Sequence, residues 1–255
     1  MSRRQDVLGV PITADSYEMI ESRVVKWTSG DTCHILTTMS FPMLGPYVNN
    51  KEYQAAIQAS DVVLPDGMAM IWLSRLLGSG IHRRLSGPDF FVRLAETASK
   101  LSFRYCLLGS TPEVLKRMHM RLKREYPGIT VSGIISPPFG EWGPEEDNRL
   151  ISRVNNSRAH MLWVGITAPR QEVWLHRQRQ RLKVPVAAAI GAGFDFFAGT
   201  RKRAPGWMQD LGLEWLHRVG REPVRMLPRY LRSLPAVVKL ARHHHRDPDS
   251  GRTNS

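Results

Sequence analysis

Cysteine is scarce, acidic charge is in deficit, and no long apolar run is present. Cys33 and Cys106 are the only cysteines in 255 residues, far apart and each inside an apolar run. That is the pattern of buried reduced thiols in a reducing compartment, not of a disulfide framework. No stretch reaches the ~18 apolar residues of a membrane span. The best candidate, residues 184–197, is interrupted by Asp195 and contains two glycines. The N-terminus, MSRRQDVLGVPI, lacks the apolar core of a secretory leader, so none is expected. The nine histidines do not combine with cysteines or carboxylates at ligand spacing. An Asp-x-Asp occurs only as Asp247-Pro248-Asp249, in a polar tail with the tract His243 to His245. Neither a metal nor any other cofactor is therefore expected. Zinc spacings and the aromatic motifs of RNA binders are also missing.

Basic charge is what the chain does have. Thirty-six Lys and Arg face 23 Asp and Glu, a net of +13. Residues 200–255 alone hold twelve basic against five acidic side chains, more than half of the excess in about a fifth of the chain. Such a segment calls for a polyanion: phosphate groups, nucleic acid or an anionic bilayer. An enzyme acting on a phosphate-bearing substrate, a nucleic-acid-binding protein and a peripheral membrane scaffold all meet that demand.

Apolar runs alternate with helical patterns. CHILTTM, DVVLPDG, RYCLLGS, ITVSGII, HMLWVGIT and VPVAAAIGAGF read as strands buried on both faces. Between them, TPEVLKRMHMRLKREYPG has Thr111 as N-cap and Pro112 at the first helical position, and PRQEVWLHRQRQRL and GPDFFVRLAETASK are also helical. The alternation predicts an α/β fold with a mostly parallel, doubly wound sheet over residues 1–199. After Gly199 no strand is convincing, and residues 200–242 read as a basic helical appendage broken by Pro223, Pro228 and Pro235. From about His243 to residue 255 the chain is polar and expected to be disordered.

Ligands bind beyond the carboxyl ends of strands in such sheets, which singles out Thr37, Asp66, Gly109 with Ser110, Thr167 and Asp195. Asp66, before Gly67, is a turn residue, a helix N-cap or a carboxylate that takes a proton from a hydroxyl. Arg84 and Asp89 flank the turn Ser86-Gly87-Pro88, which is an ordinary capped loop or an anion cradle. Arg170, Gln171 and Glu172 fall in the first turn of a helix opened by Pro169, either as surface residues or as ligands for a phosphate and a base edge. GAGFDFFAG fails as a dinucleotide fingerprint, because position 196 is Phe and no helix is expected to follow at once. Arg201, Lys202 and Arg203 are basic enough for phosphate, although such runs are commonly just solvated. Arg218, Arg221, Arg225, Arg229 and Arg232 recur at spacings of 3, 4, 4 and 3, a single stripe if helical.

DVVLPDG, RRLSGPDF, VGITAPRQE, GAGFDFFAG, KRAPGW and GLEWLHRVGREPVR, in that order, resemble the WecG/TagA/CpsF family of bacterial glycosyltransferases (glycosyltransferase family 26), from about residue 7 to about residue 232. The resemblance implies a Rossmann-like α/β domain with a basic C-terminal appendage. It implies metal-independent, inverting transfer from a UDP-sugar to a polyprenyl-diphosphate-linked sugar, in cell-surface polysaccharide or exopolysaccharide biosynthesis. It also implies an enzyme held at the inner face of the plasma membrane, with no nucleic-acid partner. By the same resemblance Asp66 is the catalytic base. Thr37, Arg84 and Gln171 bind substrate, and Arg218, Arg225 and Arg229 hold the diphosphate. Met39 stands where many members have asparagine. Methionine offers a sugar no useful hydrogen bond, so an N-acetylmannosamine-type donor and a hexose such as glucose both stay open.

Overall fold

The computed structural model describes residues 3–246, except for the side chains of Asp210, Arg225 and residues 243–246. The chain opens with β1 (Arg4–Val7), β2 (Val10–Thr13), α1 (Tyr17–Trp27) and β3 (His34–Ser40). A 3-10 turn at Phe41–Met43 leads into α2 (Leu44–Asn49), α3 (Lys51–Ala59), β4 (Val62–Asp66) and α4 (Met68–Leu76). Helix and strand then alternate through α5 (Gly87–Lys100), β5 (Arg104–Gly109), α6 (Pro112–Glu125), β6 (Thr130–Ile135), α7 (Pro144–Asn156), β7 (Met161–Gly165), α8 (Arg170–Gln178), β8 (Val186–Ala189) and α9 (Gly193–Ala198). α10 (Gly206–Asp210), α11 (Glu214–Arg221) and α12 (Pro223–Arg246) follow.

Six strands form one sheet in the order β4-β3-β8-β7-β5-β6. The pairs β3–β8, β8–β7, β7–β5 and β5–β6 are parallel, as the alternation requires. β7 is buried at every position and β4 at all but its last, which is why both read as unbroken apolar runs.

The chain divides into two compact units. The first comprises residues 1–15, 38–86 and 203–255. β1 and β2 pair as an antiparallel hairpin in this unit, which the sequence reading missed. Its turn places Leu8 at φ 58° and Gly9 at φ 76°. Two left-handed residues are what a two-residue hairpin turn demands, and leucine at the first of them hides the signal. The hairpin is tied down when Val63 donates its N–H to Thr13 Oγ1 at 3.0 Å and the Tyr47 hydroxyl donates to the Gly9 carbonyl.

α12 departs from expectation, because Pro228 and Pro235 lie inside one continuous helix. A proline inside a helix costs about 3 kcal/mol. Packing against α2 and the 3-10 turn offsets that cost, and Met226, Ser233 and Ala236 are the buried side chains of the helix. The Ser233 hydroxyl is within hydrogen-bonding distance of the Pro42 and Arg229 carbonyls, and accepts from the Gly45 N–H at 3.3 Å. The polar tail assigned from His243 begins inside this helix, and residues 247–255 lie outside the described residues.

The second unit comprises residues 16–37 and 87–202. Phe91 meets Trp163 and Phe197 edge-on at 4.6 and 4.7 Å between ring centroids. Thr111 caps α6 as expected, accepting from the Val114 N–H at 3.3 Å. The tightest approach is where β5 and β7 end side by side, at Gly109 and Gly165, under the ring of Phe194 from α9. A methyl on Gly165 would overlap the Phe194 ring, and one on Gly109 would overlap the Gly165 backbone. Gly165→Ala should therefore destabilise the protein by about 1–3 kcal/mol. Urea unfolding of this variant beside Gly143→Ala, where an added methyl meets nothing within 4 Å, checks it. Equal midpoints would contradict this packing.

Candidate active site

In the first unit, Asp66 is the last residue of β4, and Gly67, at φ 89°, turns the chain into α4. Glycine is required there, since a side chain is strained at that φ. Gly67 is itself the N-cap of α4, and no side chain caps that helix, so the Asp66 carboxylate is not spent on capping. Asp66 is only partly covered by accessible area. Protein nevertheless surrounds it closely enough that burial, the largest effect, raises its pKa to about 6. Arg218 opposes the rise, Glu214 adds to it, and Arg84 and Arg203 oppose it. A carboxyl group with that pKa stays mostly ionised at neutral pH and is a better proton acceptor than a free aspartate at ~3.9.

The arginines form an ordered set. Arg84 Nη1 donates to Glu214 Oε2 at 2.7 Å, with the two side chains 16% and 18% exposed. Arg203 Nε lies 3.5 Å from Glu214 Oε1, and its Nη2 is 3.2 Å from Ser86 Oγ. Arg218 shares α11 with Glu214, one turn further on. The Tyr230 phenol completes the cluster. Its pKa is pushed up to about 12, by burial above all, with Arg218 and Arg229 opposing and Asp66 and Glu214 adding to the shift. It is thus a neutral hydroxyl at working pH. The ring is fixed by Phe41 at 6.2 Å and Trp215 at 5.9 Å between centroids. Arg229 reaches the 3-10 turn instead, its Nη2 being 3.8 Å from Met43 Sδ. Arg225 lies in α12, but its side chain is outside the described residues.

The second unit holds Thr37 and Gln171. Thr37 is 1% exposed, and its Oγ1 has no hydrogen-bond partner among the described residues. Gln171 and Glu172, in the first turn of α8, are buried at 2% and 1% exposure and are not surface residues. Gln171 Nε2 donates to Glu172 Oε1 at 2.8 Å, while Gln171 Oε1 and Glu172 Oε2 have no partner among the described residues. Leaving such an atom unsatisfied costs about 1–3 kcal/mol, and in a native protein it points to a ligand or water. Gly191, at φ 50°, runs beside the Gln171 amide: a Cβ there would lie 3.4 Å from Nε2. Burial raises the Glu172 pKa to about 7, against lowering hydrogen bonds from Gln171 and its own backbone. The Arg170 guanidinium lies over the Trp142 ring at 3.9 Å.

Some residues were misplaced or missed from sequence. β8 ends at Ala189 and α9 begins at Gly193, so Asp195 sits on a helix and not at a strand end. A helix does follow the glycines, contrary to expectation, because Phe194 and Phe197 bury their rings and anchor this short turn. Arg203, which the sequence leaves as either a phosphate ligand or a solvated residue, joins the Asp66 cluster. Glu214 was visible only as a letter in a motif, and nothing marked Tyr230. Among the described residues, no group of three or more His, Cys, Asp or Glu is placed to hold a metal.

The sequence matches the model of the "Glycosyl transferase WecG/TagA/CpsF family" over residues 5–250. It is 29% identical over 199 residues to an N-acetylglucosaminyldiphosphoundecaprenol N-acetyl-beta-D-mannosaminyltransferase of Bacillus spizizenii, covering 78% of this chain and 75% of the relative. It is 27% identical over 225 residues to a protein of the same description from Bacillus subtilis, covering 86% of each.

Glu172 gives the site a pH signature. A carboxyl raised from 4.5 to about 7 stabilises the folded state fully below 4.5, and loses that contribution as pH rises through 7. The loss should be on the order of 3 kcal/mol. Unfolding curves of wild type and Glu172→Gln across this range should diverge by that amount, the wild type weakening relative to the variant as pH rises. Parallel curves would show that Glu172 titrates like an exposed acid.

Proposed function

We infer function from membership: the chain belongs to the WecG/TagA/CpsF family of glycosyl transferases, whose model spans residues 5–250. On that premise we propose that it is an inverting transferase that moves a sugar from a UDP-sugar to a polyprenyl-diphosphate-linked saccharide, in cell-surface polysaccharide or exopolysaccharide synthesis. The observation that carries this reading is the Asp66 carboxylate, held at a pKa of about 6 among Arg84, Arg203 and Arg218. It pairs a usable base with counter-charge for a diphosphate.

Asp66 removes the proton from the acceptor hydroxyl as that oxygen attacks the anomeric carbon. The bond to UDP breaks on the opposite face, and the configuration inverts. Negative charge grows on the leaving diphosphate, and guanidinium groups with their planar forks take it up. Arg84 and Arg218 supply that charge in this reading, together with Arg225 and Arg229. Thr37 and Gln171, with their unpaired buried oxygens, bind the donor. The names of the relatives make an N-acetylmannosaminyl donor the first to test and a hexose the second. Met39, buried like Thr37 and Gln171, offers a sugar no useful hydrogen bond, so both donors are tested.

The appendage works at an anionic membrane surface, on the cytoplasmic side in this reading. Val224, Leu227, Leu231, Leu234 and Val238 recur at helical spacing along α12 and are 46–90% exposed. Arg221, Arg232, Lys239 and Arg242 are exposed near them. No described helix is long and apolar enough to cross a membrane, so this stripe would lie on the bilayer. Leu231→Asp with Leu234→Asp should abolish sedimentation with anionic liposomes yet preserve transfer to a water-soluble short-chain acceptor. Unchanged sedimentation would remove the membrane role.

Asp66→Asn should lower transfer ~10²–10⁴-fold without unfolding the protein. Wild-type kcat/KM should fall as pH drops below about 6, where Asp66 protonates. Near-normal turnover in Asp66→Asn would refute the base assignment. Because arginines supply the counter-charge, transfer should survive EDTA; loss of activity restored by magnesium or manganese would show otherwise.

A further inference from the structure

Glu214 is an acid in a place where an anion is to bind. It opens α11, and both of its carboxylate oxygens face arginines: Oε2 lies 2.7 Å from Arg84 Nη1, and Oε1 3.5 Å from Arg203 Nε. Arg84 comes from the segment before α5, 130 positions away in the chain. A negative charge beside a diphosphate subsite opposes ligand binding, so its presence there calls for a reason.

The electrostatics of Asp66 supply one. Among the described residues, the charged groups that act most strongly on Asp66 are Arg218 and Glu214 from α11, Arg84 from the segment before α5, and Arg203 from the segment after α9. Tyr230 from α12 also interacts with it but is neutral. Three guanidinium groups with no compensating charge would favour the ionised carboxylate strongly. That would make Asp66 easy to ionise and reluctant to take up a proton.

We propose that Glu214 is a positioning residue: it holds Arg84 and Arg203 in one fixed array and screens Asp66 from their charge, so that Asp66 remains a usable base. The charges are distributed accordingly. Glu214 compensates Arg84 and Arg203 directly, and Arg218 is left as the strongest influence favouring ionised Asp66, ahead of Glu214 itself. An arriving diphosphate then meets guanidinium groups that are already oriented, with less ordering left to do on binding. This inference rests on the reading of Asp66 as the base.

Glu214→Gln tests it, because the amide keeps the shape and removes the charge. In the full-length protein, the acid limb of the kcat/KM profile should move to lower pH by about one unit. Turnover on the alkaline plateau should fall severalfold, as the base weakens. Glu214→Asp, which restores the charge on a shorter stem, should return the limb toward its wild-type position. An ion pair that merely braced the fold would lower the melting temperature and scale turnover equally at every pH. A folded Glu214→Gln protein with an unmoved limb therefore overturns the proposal.

A second readout does not depend on turnover. Carbon-13 carboxyl shifts of labelled aspartate, with the Asp66 signal identified by its loss in Asp66→Asn, report the Asp66 titration directly. That midpoint should drop in Glu214→Gln and recover in Glu214→Asp. If it drops while Asp66→Asn keeps full activity, the base assignment is wrong and the screening by Glu214 stands. If it does not move, the screening is wrong whatever the role of Asp66. Should Glu214→Gln fail to fold, the same titration in Glu214→Ala, which also removes the charge, must show the lowered midpoint, and an unmoved one rejects the proposal.

Discussion

The ion pair between Arg84 and Glu214 is the interaction on which the Asp66 site depends. It joins a loop before α5 to the start of α11 across 130 residues of sequence. At 2.7 Å, with both side chains less than one-fifth exposed, it is screened far less than a surface pair, and removing either partner would leave the other charge buried. Through Glu214 the pair also engages Arg203, and through Arg203 it reaches Ser86. The basic segment after residue 200 is thus part of the structure around Asp66 and not only a carrier of positive charge.

Two carboxyl groups are shifted the same way for the same reason. Burial is the largest effect on Asp66 and on Glu172. Their partners differ, and so do the consequences. Asp66 faces arginines, which hold its pKa near 6, low enough for it to be ionised at neutral pH. Glu172 has the neutral amide of Gln171 as its side-chain partner and reaches about 7, where the protonated and ionised forms are comparably populated. Desolvation sets the direction, and the charge of the neighbour decides how far it goes.

α12 shows how tertiary packing overrides local propensity. Pro228 and Pro235 each remove a helical hydrogen bond, and three prolines in succession read as breaks. The buried Met226, Ser233 and Ala236, and the packing of the helix against α2 and the 3-10 turn, keep it continuous. Continuity in turn lines up the exposed apolar residues from Val224 to Val238. Broken into pieces, the same residues would be scattered.

The sequence by itself determined the class of fold and the position of Asp66. Strands buried on both faces, such as β7 and β8, are apolar runs and were legible as such. β6 was legible as well, although as an edge strand it is exposed or half-buried at all but its last position. The Asp-Gly at the end of DVVLP marked a strand-to-helix turn. The N-cap of α6 was legible because a cap is satisfied within four residues. The hairpin at the N-terminus was not, because Leu8 adopts a conformation that its identity does not announce. Nor was the composition of the Asp66 cluster. Arg203 reads as one more basic residue, Glu214 as one letter of a motif and Tyr230 as nothing in particular. Likewise, Gln171 and Glu172 look like an exposed first turn until their burial is seen. Local hydrogen bonds and hydrophobic periodicity act between near neighbours in sequence, so a reader of sequence finds them. Desolvation and ion pairing depend on what is close in space, across as many as 130 positions here, and only the tertiary structure decides that.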